Sequence, residues 1–288
     1  MNNFVIYTDS GCDIAPAVLA EWGVEWSSLS FCFTDENVEY TAADMSVRTF
    51  YDRMRAGGMA KTSAINIGTF LDAFEPILQQ GKDILYIGFS SALSTTCNSA
   101  AIAAKQLMAQ YPERTVIALD SLSASAGLGL LVYLAVQKQK SGATLAETAA
   151  YITDMRLQIC HWVTVDDLEY LKRGGRISPT VAFVGNALGV KPQIHVDNSG
   201  SLVNVSKVRG RKKAIAALAD KYGVLAVEPA QGVVFISHSD CLEDAELLAD
   251  LLHTRYGVTV ARITDIGTVI GAHTGPGTVA LFFVGKER

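Results

Sequence analysis

Residues 84–96 read Ile-Leu-Tyr-Ile-Gly-Phe-Ser-Ser-Ala-Leu-Ser-Thr-Thr. Four consecutive apolar residues ahead of Gly88 have the length and composition of a buried strand, and 94–110 carries a helical pattern. Residues 115–119 then read as another strand. Strand, helix and strand in succession make a parallel βαβ unit. The Ser-rich stretch after Gly88 therefore sits at the carboxyl end of a strand, where open α/β sheets bind ligands.

Working outward, 4–7 is a compact apolar strand that ends in Thr8-Asp9-Ser10-Gly11, and 24–33 reads as an aromatic-rich second strand. Helices are expected over 46–55, stopped by Gly57-Gly58, over 66–80, ended by Gly81, and over the apolar stretch 125–140. Thr144-x-x-Glu147 is a capping box opening a further helix to 157. The pattern changes after about 160. A strand at 161–165 and a hairpin of 193–197 with 202–208 around Asn198-Ser199-Gly200 are followed by helix 212–222, strand 233–237, helix 242–256 and strands 258–263 and 279–284. The fold expected is α/β in two domains. A parallel-sheet domain covers 1–160, and a smaller α+β domain covers 161–288, with segment 61–80 a candidate for packing against the second.

At 288 residues, 49% hydrophobic and 18% charged, the chain has ample apolar surface for a sizeable core and is not disordered. Its 24 basic and 29 acidic residues give a net charge of −5, which argues against a general nucleic-acid binder. The five cysteines, Cys12, Cys32, Cys97, Cys160 and Cys241, form no C-x-x-C and no zinc framework, and reduced thiols in a cytoplasm are the expectation. Met1-Asn2-Asn3 and the short apolar run after it lack the pattern of a signal peptide. The longest run without a polar side chain, 126–136, is far short of the roughly 20 residues that span a bilayer. Cytoplasmic localisation, with peripheral membrane contact or none, is expected.

Serine and threonine gather at the strand ends: Thr8-Asp9-Ser10, Thr62-Ser63, Ser90-Ser91 with Ser94-Thr95-Thr96, and Asp120-Ser121. Any one such cluster reads more simply as a helix cap or turn. Four on one rim converge on one crevice, and hydroxyls with free helix N–H groups suit a carboxylate or phosphate. Lys61 is the only cation in these clusters, so the anion expected is small. Gly88-Phe89-Ser90-Ser91-Ala92 lies where a hydrolase nucleophile elbow would sit but lacks its last glycine, and Asp265 and His273 follow in the order of an α/β-hydrolase. A serine acyl hydrolase built on Ser90, Asp265 and His273 is the alternative function. Gly127-Leu128-Gly129 lacks the third glycine of a dinucleotide fingerprint, so tight helix packing is the better account. No phosphate-binding P-loop occurs and no two histidines stand four apart, so neither cofactor nor metal is expected. Two basic groups remain, Lys172, Arg173 and Arg176 around Gly174-Gly175, and Lys207, Arg209, Arg211, Lys212 and Lys213. They are either solvated surface or a docking face for an acidic partner.

Together these stretches resemble the DegV family of bacterial fatty-acid-binding proteins. The resemblance is carried by Thr8-Asp-Ser-Gly-Cys-Asp-Ile14, Lys61-Thr-Ser63, Ile87-Gly-Phe-Ser-Ser-Ala-Leu-Ser-Thr-Thr96 and Asp120-Ser121. Leu168-Glu-Tyr-Leu-Lys-Arg-Gly-Gly-Arg-Ile-Ser178, Gly189-Val-Lys-Pro192, Lys207-Val-Arg-Gly-Arg-Lys-Lys213 and Ile270-Gly-Ala-His-Thr-Gly-Pro-Gly277 complete it. It implies a fatty acid held in a tunnel between the two domains. It also implies a protein that is not itself a catalyst but presents the ligand's carboxylate to a separate ATP-dependent fatty acid kinase, which makes acyl phosphate. By motif position Thr62 and Ser94 would be the direct carboxylate ligands, with Ser63, Ser91 and His273 as further contacts. Arg173, Arg176 and Arg209 are assigned to docking of the kinase subunit.

Overall fold

A computed structural model describes residues 4–177 and 189–288. Residues 1–3, on which the reading of the N-terminus rests, and Ser178, the last residue of the 168–178 motif, lie outside the described residues.

The first sheet is wholly parallel. Its strands are β1 (Phe4–Asp9), β2 (Val24–Ser27), β5 (Asp83–Gly88) and β6 (Val116–Asp120), in the order β2-β1-β5-β6. Helices α1 (Pro16–Trp22), α3 (Ile67–Gln79), α4 (Thr96–Gln110), α5 (Ala126–Lys140) and α6 (Leu145–Met155) accompany it. The expected capping box on α6 is present, with the Thr144 side chain accepting from the Glu147 N–H and the Glu147 carboxylate accepting from the Thr144 N–H.

The stretch 24–33, read as one strand, is two. It breaks at Ser28-Leu29, where the Leu29 N–H donates to the Ser10 hydroxyl. Its second half, β3 (Ser30–Phe33), leaves the parallel sheet and pairs antiparallel with β4 (Ala60–Ser63), with Phe31 opposite Thr62. Helix α2 (Val47–Arg55) packs Phe50, Tyr51 and Met54 onto this small ribbon in a separate aromatic cluster with Phe31 and Phe33.

The second sheet begins with β7 (Ile159–Thr164) and runs β11-β10-β12-β7-β8-β9, mixed in direction. Its other strands are β8 (Val190–Val196), β9 (Leu202–Arg209), β10 (Val234–His238), β11 (Arg262–Asp265) and β12 (Val279–Val284). It has more strands than the first sheet, although its segment of chain is the shorter. The last strand before 279 starts later than the apolar run 258–263 suggested, because 257–260 forms no ladder. Helices α7 (Glu169–Arg173), α8 (Arg211–Leu225), α9 (Leu242–Tyr256) and α10 (Thr268–Thr274) complete the set described here.

Helix α5 joins the two halves. It touches β1 and β5 on one side and β7, β10 and β12 on the other, which is why its sequence is apolar all round and has no polar stripe. The glycines seen in the sequence are packing devices. A Cβ on Gly127 would run into the rings of His161 and Phe282, and one on Gly129 into Ile14 and the Cys12 carbonyl. Segment 61–80 divides its contacts: α3 packs on α4 and β5, with Phe70 and Phe74 in the main core, whereas β4 lies against α10.

Candidate functional site

Between the sheets lies a narrow apolar cavity. Its walls are apolar side chains from both halves, among them Phe89, Leu93, Val163, Val165, Ile270 and Phe282. A second, wider cavity opens between the β3–β4 ribbon, α7 and α10, and includes Lys61, Thr62, Tyr170 and Arg173 in its lining. His273 and Arg176 line both. These two residues therefore mark the junction between an apolar interior and a vestibule of mixed polar and apolar lining.

Thr62 and His273 meet there, with the threonine Oγ1 2.8 Å from the imidazole Nε2. Burial, with the Arg176 charge beside it, pushes the His273 imidazole down to about 4, so the ring is neutral near pH 7. Its Nδ1 is buried and has no partner among the described residues. Gly174 belongs to the same corner, since a Cβ on it would overlap the His273 ring.

Ser94 lines the inner cavity at this end. Its Oγ accepts from the Thr96 N–H (3.3 Å) and lies 2.9 Å from the Thr96 Oγ1, which in turn accepts from the Ile65 N–H (3.3 Å). That chain ties the start of α4 to the residues just after β4, so Ser94 and Thr62 are held by connected backbone. The loop carrying Phe89, Leu93 and Ser94 is anchored from below by Asp9. This buried carboxylate accepts from the Tyr86 hydroxyl (2.6 Å) and from the N–H groups of Phe89 and Gly11 (2.9 Å each).

Helix α10, which carries His273, is held at its N-terminus from two sides. The Gly267 N–H donates to the Asp13 Oδ1 (2.9 Å), and the Tyr51 hydroxyl donates to the Ile266 carbonyl (2.8 Å). Burial pushes the Asp13 carboxyl up to about 7. Its other oxygen receives the Ser125 hydroxyl at 2.5 Å. Ser125 lines the inner cavity at the mouth of α5 with φ of 53°, a left-handed backbone costing about 1–3 kcal/mol in a non-glycine residue.

Of the residues singled out in the sequence, Thr62, Ser94 and His273 lie at the junction. Ser63 and Ser91 line neither cavity. Alternation along β4 turns Ser63 to solvent when Thr62 faces inward, and the Ser91 hydroxyl is committed to Asp120 at 2.5 Å. Arg173 lines the vestibule, its guanidinium 4.7 Å over the Tyr170 ring. Arg209 is exposed on β9, away from both cavities. Arg176, grouped with the docking residues in the sequence, is instead part of the junction, where its Nε donates to the Leu93 carbonyl (3.2 Å). Lys61 is thus not the only cation near the hydroxyls. Helix α7 and the turn after it bring in two more, Arg173 and Arg176, from far along the chain.

The hydrolase constellation is not assembled. Ser90 is fully buried and donates to the Gly200 carbonyl (2.9 Å), His273 is engaged with Thr62, and the largely exposed Asp265 faces the Nε2 of His238 at 3.6 Å. No helix of the described residues is long and apolar enough to cross a membrane.

Comparison with known proteins agrees with this architecture. A family model described as "Uncharacterised protein, DegV family" matches residues 3–286. A DegV domain-containing protein of Clostridium perfringens is 41% identical, over 100% of this chain and 99% of its own. Among solved structures, a DegV lipid-binding protein of Thermotoga maritima superposes with a TM-score of 0.87 at 28% identity, covering 100% of both chains. A fatty-acid-binding DegV family protein of Thermus thermophilus superposes with a TM-score of 0.88 at 26% identity, covering 98% of this chain and 99% of the other.

Proposed function

The chain belongs to the DegV family, and on that premise we propose that it binds a long-chain fatty acid in the inner cavity with the carboxylate at the Thr62–Ser94–His273 junction. The observation that carries this reading is the change of lining at one point, from an apolar interior to hydroxyls, an imidazole and a guanidinium. A sixteen-carbon acid has about fourteen methylenes, each worth roughly 0.8 kcal/mol on burial, for a gross transfer near 11 kcal/mol. Affinity comes from the chain. A neutral hydrogen bond nets only about 1 kcal/mol, so the polar groups mainly fix which end faces outward.

With a neutral His273 donating from Nε2 to Thr62 Oγ1, the Thr62 hydroxyl proton is free to donate to a carboxylate oxygen. Thr96 donating to Ser94 frees the Ser94 hydroxyl in the same way. Arg176 supplies the countercharge at the rim. The carboxylate then faces the vestibule, where a separate ATP-dependent fatty acid kinase would reach it and form acyl phosphate. Arg173 and the exposed Arg209 are the docking residues in this reading. Calorimetric titration of delipidated protein with hexadecanoate tests the binding, with one site per chain expected and no heat from a folded sample overturning it. Adding a fatty acid kinase catalytic subunit and ATP tests presentation, since acyl phosphate should form only when both proteins are present.

A further inference from the structure

Along β7 the inner cavity is lined by His161, Val163 and, one residue past the strand, Val165. The Val165 end is the one near the head-group corner. Thr164 pairs there with Val279, and the neighbouring Thr278 hydroxyl reaches the Thr274 and Gly275 carbonyls at the end of α10. At about 3.3 Å per residue, His161 lies about 13 Å deeper than Val165. Phe282 stands beside His161 on β12. Val196, which follows the partner of Trp162 on β8, pairs with Leu202 on β9. All four line the cavity. The next residues on this face of the sheet, Ile159 and Val284, pair with each other and line neither cavity. The interior therefore ends one step beyond His161.

Three contacts close it there. On the β12 side α5 comes down onto the sheet, and a Cβ on Gly127 would lie 2.2 Å from the His161 Nε2. On the β8–β9 side the hairpin turn meets the first half of the chain. The Ser90 hydroxyl donates to the Gly200 carbonyl (2.9 Å), and a Cβ on Gly200 would lie 2.3 Å from the Ser90 Oγ and 3.1 Å from the Leu122 Cα. The third contact is the guanidinium of Arg288. Its Nε donates to the Ile159 carbonyl on β7 (3.1 Å), and its Nη1 to the carbonyls of Asp197, at the hairpin turn (3.1 Å), and Leu122 (2.7 Å). Its Nη2 donates to the Ser123 hydroxyl (3.0 Å) and to the Arg156 carbonyl.

These bonds use all five N–H donors of the group, and their acceptors come from both halves of the chain. Burial pulls the guanidinium down to about 10, so it is charged at pH 7 yet held out of water. With every donor spent, it asks nothing of a ligand that meets it. It also cannot swing aside for a longer chain without breaking several charge-assisted hydrogen bonds at once.

We propose that Arg288 is the end stop of the acyl cavity and sets the longest fatty acid that binds. The proposal rests on the fatty-acid reading above. An acid whose methyl end falls short of Arg288 is indifferent to it, whereas a longer one must buckle or pull its carboxylate out of the head-group corner.

The test uses the delipidated full chain and straight saturated acids from dodecanoate to docosanoate, read by calorimetry or competition. Wild-type affinity should rise about fourfold per added methylene, the factor its transfer from water supplies, and stop rising at one length. Arg288→Ala should move that limit to longer acids and leave the shorter acids at wild-type affinity. Arg288→Gln, shorter than arginine but still a donor to the facing carbonyls, should move it less and serves if the alanine variant fails to fold. An equal loss at every length would assign Arg288 to holding the two halves together and nothing more. An unmoved limit in a folded variant would take it away from the cavity end. Either result overturns the proposal. If no acid of the series binds the wild-type protein, it is the fatty-acid reading that fails.

Discussion

Thr62 and His273, 211 residues apart in sequence, stand with the threonine Oγ1 2.8 Å from the imidazole Nε2. The contact bridges the β3–β4 ribbon and α10 at the point where the two cavities join. One partner comes from a strand that belongs to neither main sheet, and the other from a helix pinned by Asp13 and Tyr51. The geometry of the junction thus depends on groups well away from it.

Thr62→Ala and Ser94→Ala should each weaken fatty acid binding by about 1–3 kcal/mol if the deserted carboxylate oxygen stays dry. Calorimetry on the single and double variants measures this. Wild-type affinity in all three would remove the carboxylate from this corner.

The basic residues should separate by position. Arg176→Ala, at the junction, should lower fatty acid affinity. Arg173→Ala and Arg209→Ala should leave affinity intact but slow kinase-coupled acyl phosphate formation and flatten its salt dependence, because rim charges act mainly on encounter. Lipid affinity lost in Arg209→Ala with the fold intact would contradict this division.

Asp13 gives a pH dependence of definite sign. Its carboxyl is raised to about 7 by burial, against about 3.9 in an unfolded chain. Across that interval the folded state binds more protons, so the stability this group contributes falls as pH rises from about 4 to about 7. His273, lowered to about 4, acts in the opposite sense, its contribution falling as pH drops from about 6.5 to about 4. Asp13→Asn does not titrate and keeps an oxygen for the Gly267 N–H. The melting temperature of the variant minus that of wild type should therefore rise with pH across the interval, with the His273 effect cancelling. A difference that is flat in pH would show that Asp13 titrates as an ordinary carboxyl.

Gly127→Ala should destabilise by about 1–3 kcal/mol, because the new methyl would overlap the rings of His161 and Phe282 in a filled core. Denaturant unfolding measures it, and an unchanged midpoint would mean that α5 has room to move between the sheets.

Much of this was legible in local pattern. The parallel first sheet follows from strand–helix alternation, and α9 and β12 coincide with the helix and the strand expected over 242–256 and 279–284. The short elements were not legible. β4 is a four-residue strand with alternating exposure and no apolar run, and it exists because β3 and α10 cover it. The reading of 24–33 as one strand missed that its halves face different sheets, a choice made by the Ser10 hydroxyl and by the partner strand. At the site, Thr62, Ser94 and His273 stand out as polar residues in or beside glycine- and serine-rich stretches of sequence. Arg176 and His161 do not, since an arginine among basic residues and a histidine in a strand carry no local mark of where they point. The alternating His161-x-Val163-x-Val165, which runs one residue past the end of β7, was the available hint that this face is a wall.

Native mass spectrometry of the protein as purified, and again after delipidation and addition of hexadecanoate, tests the central claim most directly. The account predicts one adduct per chain with the mass of a long-chain fatty acid, removed by delipidation, restored by the added acid, and weakened in the Thr62→Ala, Ser94→Ala double variant. A folded protein that carries no such mass and takes up none from excess hexadecanoate would contradict it.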